Sequence, residues 1–196
     1  MPSINLTHTP DTVAVWLATP AAQALFNPAD QSSEDQARWR SQRGERRRLD
    51  WMVSRALRYG VSPPPGLPVS LSHSNGYAAL AVAGPGFKVG VDLEHVRQRD
   101  AMSIARLAYS SRECADLAAL DDRAGLRHFY ALWTFKEACA KALNINLGQA
   151  LGQCQIWRDG EGWHAAAPTD VDWSAEVLSP AAHLMLAVVR LAPGND

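Results

Sequence analysis

Residues 69–94 read VSLSHSNGYAALAVAGPGFKVGVDLE, and the turns that punctuate this stretch decide the fold class. Asn75-Gly76 and Gly84-Pro85-Gly86 are tight-turn signals separating three apolar runs: Val69 to His73, Tyr77 to Ala83 and Phe87 to Glu94. The spacing predicts three strands in an antiparallel meander. The second strand runs back and the third returns, so His73 and the pair Asp92/Glu94 should share one end of a sheet. Alternation along the third strand assigns Val89, Val91 and Leu93 to one face and Gly90, Asp92 and Glu94 to the other.

Working outward, Val13 to Leu17 is β-branched and reads as an opening strand. Glu34 to Tyr59 reads as one or two helices, with Leu49, Met52, Val53 and Ala56 at i, i+3, i+4 and i+7. Gly60 and Ser62-Pro63-Pro64-Pro65-Gly66 stop that segment. Ser103 to Leu120 and Asp122 to Leu143 are expected helices, Ile156 to Ala166 a hairpin around Asp159-Gly160, and His183 to Leu191 a closing strand. Each half thus holds helix and antiparallel strand, an α+β pattern that changes over near Arg97 to Asp100.

The chain has 196 residues, 47% of them hydrophobic and 20% charged, which suffices for one compact unit with a real core. Its net charge of −1 argues against coating of nucleic acid or membranes by bulk electrostatics. The charge is uneven, however: Glu34 to Arg58 carries eight Arg against four acids, a local +4 that leaves −5 elsewhere. Three cysteines, Cys114, Cys139 and Cys154, have no metal-ligand spacing and point to a reducing compartment. No secretory signal is read at the start of the sequence, and a cytoplasmic location is expected. The uncharged run Tyr59 to Phe87 contains five Pro and is no membrane span.

Four groups are candidates for chemistry. Asp92 and Glu94 project side by side from one strand face, as ligands for a hard divalent cation would, although an acidic solvent-facing strand looks the same in sequence. In WTFKEACAK, Trp133 to Lys141, the charges Lys136 and Glu137 interrupt the expected buried stripe of a helix, and burial of a charge asks for pairing or use. An ordinary Glu137–Lys141 helix pair is the competing reading. SLSHS, Ser70 to Ser74, sets hydroxyls and His73 at a strand end, where they suit phosphate oxygens or a structural turn. The Arg-rich segment offers guanidinium forks for phosphate, or simply a solvated helix face.

In their order along the chain, SLSHS, GVDLE (Gly90 to Glu94) and WTFKEACAK resemble the motifs of 4′-phosphopantetheinyl transferases of the surfactin-synthetase-activating type. The resemblance runs from about Arg38 to about Lys141. It implies two similar α+β lobes related by a pseudo-twofold axis, 1–98 and 99–196, with coenzyme A between them in a monomer. The implied activity moves the phosphopantetheine arm of coenzyme A to a serine of an apo acyl or peptidyl carrier protein, releasing adenosine 3′,5′-bisphosphate. Mg²⁺ is then expected on Asp92, Glu94 and Glu137, with Glu137 also the candidate base. Lys141, supported by Lys136, is expected on the coenzyme phosphates together with Ser72, His73 and Arg55, and less securely Arg47 or Arg48. Trp133 is assigned to packing.

Two departures stand out. Gly66-Leu67-Pro68 has Leu67 where the family commonly has a lysine, and Ala142 to Asn146 lacks the family's usual glycines. Two rivals are weighed against the resemblance. A serine hydrolase would use Ser72 or Ser74 with His73 and Asp92, but no G-x-S-x-G elbow is present and neighbouring Ser and His point to opposite strand faces. A non-catalytic Arg-rich module for nucleic acid or protein is disfavoured by the overall charge and by the lack of interleaved aromatics.

Overall fold

The computed structural model describes residues 3–6, 12–159 and 162–194. In chain order these form β1 (Ser3–Leu6), β2 (Val13–Ala18), α1 (Ser33–Ser41), α2 (Glu45–Val61), β3 (Val69–Ser74), β4 (Tyr77–Ala83), β5 (Lys88–His95), α3 (Ala101–Ala108), α4 (Ser111–Ala118), α5 (Asp122–Leu143), α6 (Leu147–Gln153), β6 (Gln155–Asp159), β7 (Gly162–Ala166), β8 (Trp173–Leu178) and β9 (Leu184–Leu191). The mixed α+β class is as expected. No helix among the described residues is long and apolar enough to cross a membrane.

The strands form a sheet ordered β1-β2-β4-β3, a second ordered β5-β9-β8, and the ribbon β6-β7, with antiparallel pairing throughout. The meander expectation is corrected here. β3 and β4 pair as a hairpin through Asn75-Gly76, with both turn residues at positive φ, but β5 pairs with β9 in the other sheet, Asp92 opposite Ala187. The local signals are the same for a third meander strand as for a strand crossing to a distant partner. Only pairing with β9, a long strand that is apolar apart from Arg190, decides between them.

The two sheets bury one face each against the other: Val13, Val15, Leu17, Ala79 and Ala81 of the first meet Val89, Val91, Leu93, Leu186 and Val188 of the second. Helix α2 covers the outer face of the first sheet through Val53 and Leu57 against Leu80 and Val82. Helix α5 covers the outer face of the second through Leu132, Phe135 and Cys139 against Ala187, Val189 and Leu191. The result is four layers, helix on sheet on sheet on helix. The expected alternation of β5 therefore holds, with its valines and Leu93 in the inter-sheet core and Gly90 turned to α5, where an added Cβ would lie 1.9 Å from the Ala138 carbonyl oxygen.

Other differences have local causes. The segment expected as one helix from Ser103 to Leu120 is two, because Tyr109 is extended and Ser110 with Glu113 forms a capping box that starts α4 afresh. Helix α6 was not expected, although Asn146 and Gln149 build the same kind of box. Strands β1 and β8 were missed too. The hairpin flanks β6 and β7 are present, while the tip at 160–161 lies outside the described residues. At the end of α5, Asn144 takes the left-handed conformation (φ 55°) that a glycine would supply, so the departure after Lys141 is absorbed by an Asn C-cap.

Candidate active site

Strands β3 and β5 are edge strands of different sheets, and they lie side by side in the same direction. They are joined by serine hydroxyls where a ladder would have backbone bonds. Ser70 Oγ accepts from the Val91 N–H (2.9 Å), Ser72 Oγ donates to Asp92 Oδ1 (2.8 Å), and Ser74 Oγ donates to Glu94 Oε2 (2.9 Å) while accepting from the His95 N–H (3.2 Å). Serines at i, i+2 and i+4 share one strand face, so every hydroxyl of the SLSHS segment points to β5 while His73 points away. The expected neighbourhood of His73 with Asp92 and Glu94 is thus present, by a route other than the meander.

Helix α5 is buried nearly all round, and Trp133, Glu137 and Lys141, at i, i+4 and i+8, form its less buried stripe. Lys141 Nζ donates to the Val91 carbonyl (2.8 Å) and to Asp92 Oδ1 (2.9 Å). Ser72, His73, Asp92, Glu94, Glu137 and Lys141 together line one open hollow of about 240 Å³. A larger cavity of about 540 Å³ between α4, α5 and the β8–β9 turn lacks these groups, and Asp116 is the sole carboxylate among its lining residues. Volume here is no guide to chemistry.

Burial and mutual repulsion shape the electrostatics. Desolvation, then the neighbouring Asp92 charge, push the Glu137 carboxyl up to about 7, with Lys141 and the Trp133 N–H pulling the other way. Burial likewise raises Glu94, Ser74 opposing it and Asp92 adding to it. Burial lowers the His73 imidazole, against the pull of Asp50. Asp92 Oδ2 is buried without a hydrogen-bond partner. A bare buried carboxylate oxygen beside two carboxyls held up in pKa is the donor chemistry a hard cation takes. Among the described residues, however, no three His, Cys, Asp or Glu side chains stand close enough to form a ready-made metal cluster. The donor set of Asp92, Glu94 and Glu137 fits a hard cation in chemical kind.

Some expected site residues lie elsewhere. Lys136 leaves the site altogether: it is fully buried on another face of α5, paired with Glu113 at 3.0 Å. Adjacent residues on a helix differ in direction by about 100°, so Lys136 and Glu137 cannot both face the pocket. Ser72 also changes role, since its buried hydroxyl is donated to Asp92 and not held out to a phosphate. Arg55 stacks on Trp51 (3.9 Å to the ring centroid) and donates through Nε to Asp35 at 2.9 Å, near enough to His73 to lower its pKa. Arg47 and Arg48 are exposed and line no part of the carboxylate hollow; Arg48 borders a separate basic hollow with Arg40 and Arg43. Trp133 packs as expected, stacking on Phe129 at 6.1 Å, and its N–H additionally reaches Glu137. Leu67 packs against the α2 cluster. The bond from Ser74 to Glu94 and the part played by Glu113 are not in the sequence reading. The serine spacing carried the signal for the first, and the Ser110-x-x-Glu113 box for the second.

Residues 88–188, from β5 into β9, match the model of the 4′-phosphopantetheinyl transferase superfamily. The chain belongs to that superfamily. Two curated relatives, 4′-phosphopantetheinyl transferase AcpT of Salmonella typhi and of Salmonella typhimurium strain LT2, are each 34% identical over 113 residues, 48% of this chain and 58% of theirs. The match therefore spans little more than half the length of these transferases. Among solved structures, a holo-(acyl-carrier-protein) synthase from Bacillus anthracis in complex with CoA (3′,5′-ADP) superposes with TM-score 0.48 at 16% identity, over 55% of this chain and 96% of that one. The Chronobacterium ammoniagenes ACPS–CoA complex gives TM-score 0.46 at 17% identity, over 56% and 98%. In the superfamily's terms, the matched region holds Asp92, Glu94, Glu137 and Lys141, while Ser72, His73 and the Arg-rich helices lie upstream of it.

Proposed function

We propose that this chain is a 4′-phosphopantetheinyl transferase of the surfactin-synthetase-activating type, which moves the phosphopantetheine arm of coenzyme A to a serine of an apo acyl or peptidyl carrier protein. The observation that carries this reading is the convergence of Asp92, Glu94, Glu137, Lys141 and His73 on one open hollow between β3, β5 and α5, in a chain of this superfamily. Mg²⁺ held by Asp92, Glu94 and Glu137 would neutralise charge on the pyrophosphate oxygens of the coenzyme.

The chain's own residues supply the rest. Lys141 uses two of its three N–H donors on Val91 and Asp92, which leaves the third for a phosphate oxygen. Arg55 uses Nε on Asp35 and keeps its terminal N–H groups for the same purpose. His73, whose imidazole burial holds below its ordinary pKa, lines the same hollow and offers a ring N–H. The acceptor serine oxygen forms a bond to the phosphorus that bears the pantetheine, the bond from that phosphorus to the nucleotide side breaks, and adenosine 3′,5′-bisphosphate leaves with the electron pair. Glu137, on the wall of the hollow, receives the serine proton. Ser72 and Ser74, through their bonds to Asp92 and Glu94, hold the acidic wall in place. The unit acts as a monomer, with the hollow where the edge strands of the two sheets meet; because β5 pairs with β9, the second lobe takes in residues 88–95 that the expected boundary at 98 assigned to the first.

The test is mass spectrometry of apo acyl and peptidyl carrier proteins incubated with the enzyme, coenzyme A and Mg²⁺. The expected outcome is a mass increase equal to one phosphopantetheine arm. No increase on any carrier of a broad panel overturns the reading.

A further inference from the structure

Lys136 and Glu113 form a buried ion pair that the transfer chemistry does not use. Their side chains are 0% and 2% exposed, with Nζ 3.0 Å from Glu113 Oε1. The same ammonium donates to the carbonyls of Leu151 (3.1 Å) and Cys154. Glu113 Oε2 accepts from the backbone N–H of Ser110 (2.9 Å) and from its hydroxyl (3.0 Å), while Oε1 accepts from the Ile156 N–H (3.3 Å). One pair therefore ties α5 to the start of α4, the end of α6 and the start of β6.

Burying two charges is weak evidence for stability, since apolar residues of equal volume commonly hold a core as well or better. What an ammonium with three directed donors adds is orientation. That orientation has to come from somewhere. Helix α5 meets β5 through Gly90 against the Ala138 carbonyl, a backbone-to-backbone contact, and Lys141 reaches across to Val91 and Asp92 from the end of the helix. Toward β9 the first half of α5 presents Leu132 and Phe135, while the stretch after Lys136 presents the small residues Ala138, Cys139 and Ala142. Such a surface lets that stretch come close without fixing its rotation. Lys136 immediately precedes Glu137, so whatever fixes the rotation at one fixes it at the other.

We infer that the Glu113–Lys136 pair sets the rotation of α5 and so holds Glu137 and Lys141 against Asp92. Both are positioning residues, and neither touches substrate. The inference rests on the transferase reading for its effect on turnover, and on the packing alone for its effect on the helix.

The experiment compares wild type with the Glu113→Gln/Lys136→Met double variant and with Glu113→Gln, measuring melting temperature, kcat, KM for coenzyme A and amide exchange over residues 136–143. A positioning role predicts that the double variant melts within a few degrees of wild type yet loses about tenfold or more in kcat, with KM for coenzyme A little changed. A folded double variant with wild-type kcat overturns the inference, and so does a raised KM at unchanged kcat, which would mark Lys136 as a phosphate contact. If the double variant does not hold its fold, Glu113→Gln, which keeps the acceptor oxygen and removes the charge, is read by the same criteria. If wild type itself transfers nothing, the functional reading fails separately. Faster exchange over 136–143 at unchanged melting then supports the positioning role, and equal exchange overturns it.

Discussion

Asp92 has two oxygens in opposite situations: Oδ1 is held by Ser72 and Lys141, and Oδ2 is buried and bare. Asp92→Asn would place an amide where that charge sits, and Glu137→Gln would remove the proton acceptor. Each is expected to lower kcat roughly a hundredfold or more in the carrier mass-shift assay, the usual loss when a charge-stabilising group goes. Glu137 also ties stability to pH. Folded, it keeps its proton up to about pH 7; unfolded, it releases it near the usual 4.5. Between those values the native state binds more proton, so stability falls as pH rises through this window. In chelator, wild type is therefore expected to lose more melting temperature between pH 5 and pH 8 than Glu137→Gln does, and equal losses would contradict the raised value. At this scale the carboxylates and Lys141 were legible, because periods of two on a strand and four on a helix place side chains by geometry alone. Lys136 was not: two adjacent charges read alike until burial separates them.

Elements were legible where local signals are strong. Asp122 to Leu143 is bounded by the Asp121 cap and by Asn144, and the expected helix matches α5 to the residue. The paired-box starts of α4 and α6 were present in sequence but outweighed by apolar continuity before the first and shortness in the second. Gly90 shows what a glycine in a strand can mean. A Cβ there would meet backbone atoms of Ala138 and Ala142 at 1.9 and 2.7 Å, which no side-chain rotation relieves. Gly90→Ala must push β5 off α5, so we expect a destabilisation of about 3 kcal/mol or more by denaturant unfolding, together with loss of activity out of proportion to the folded fraction. An alanine variant as stable as wild type would show that the two elements are not in contact.

For the whole molecule, the near-zero net charge is a cancellation between faces. Arg38, Arg40, Arg43, Arg46, Arg47 and Arg48 are exposed on α1, α2 and the turn between them, while Asp92, Glu94 and Glu137 are gathered in the hollow. If the Arg-rich face draws in an acidic carrier, KM for the carrier should rise steeply with salt while kcat changes little; a salt-independent KM would place docking elsewhere. By itself the sequence determined the α+β class, most strands and helices, the faces of β5 and the chemical character of its acids, since these follow from residue type and local period. Tertiary structure alone decided that β5 leaves β3 and β4 for β9, that serine hydroxyls join the two edges, and that Lys136 is buried while Glu137 faces the hollow. Those are long-range choices, made by which apolar surfaces close on one another across the chain, and no local period records them.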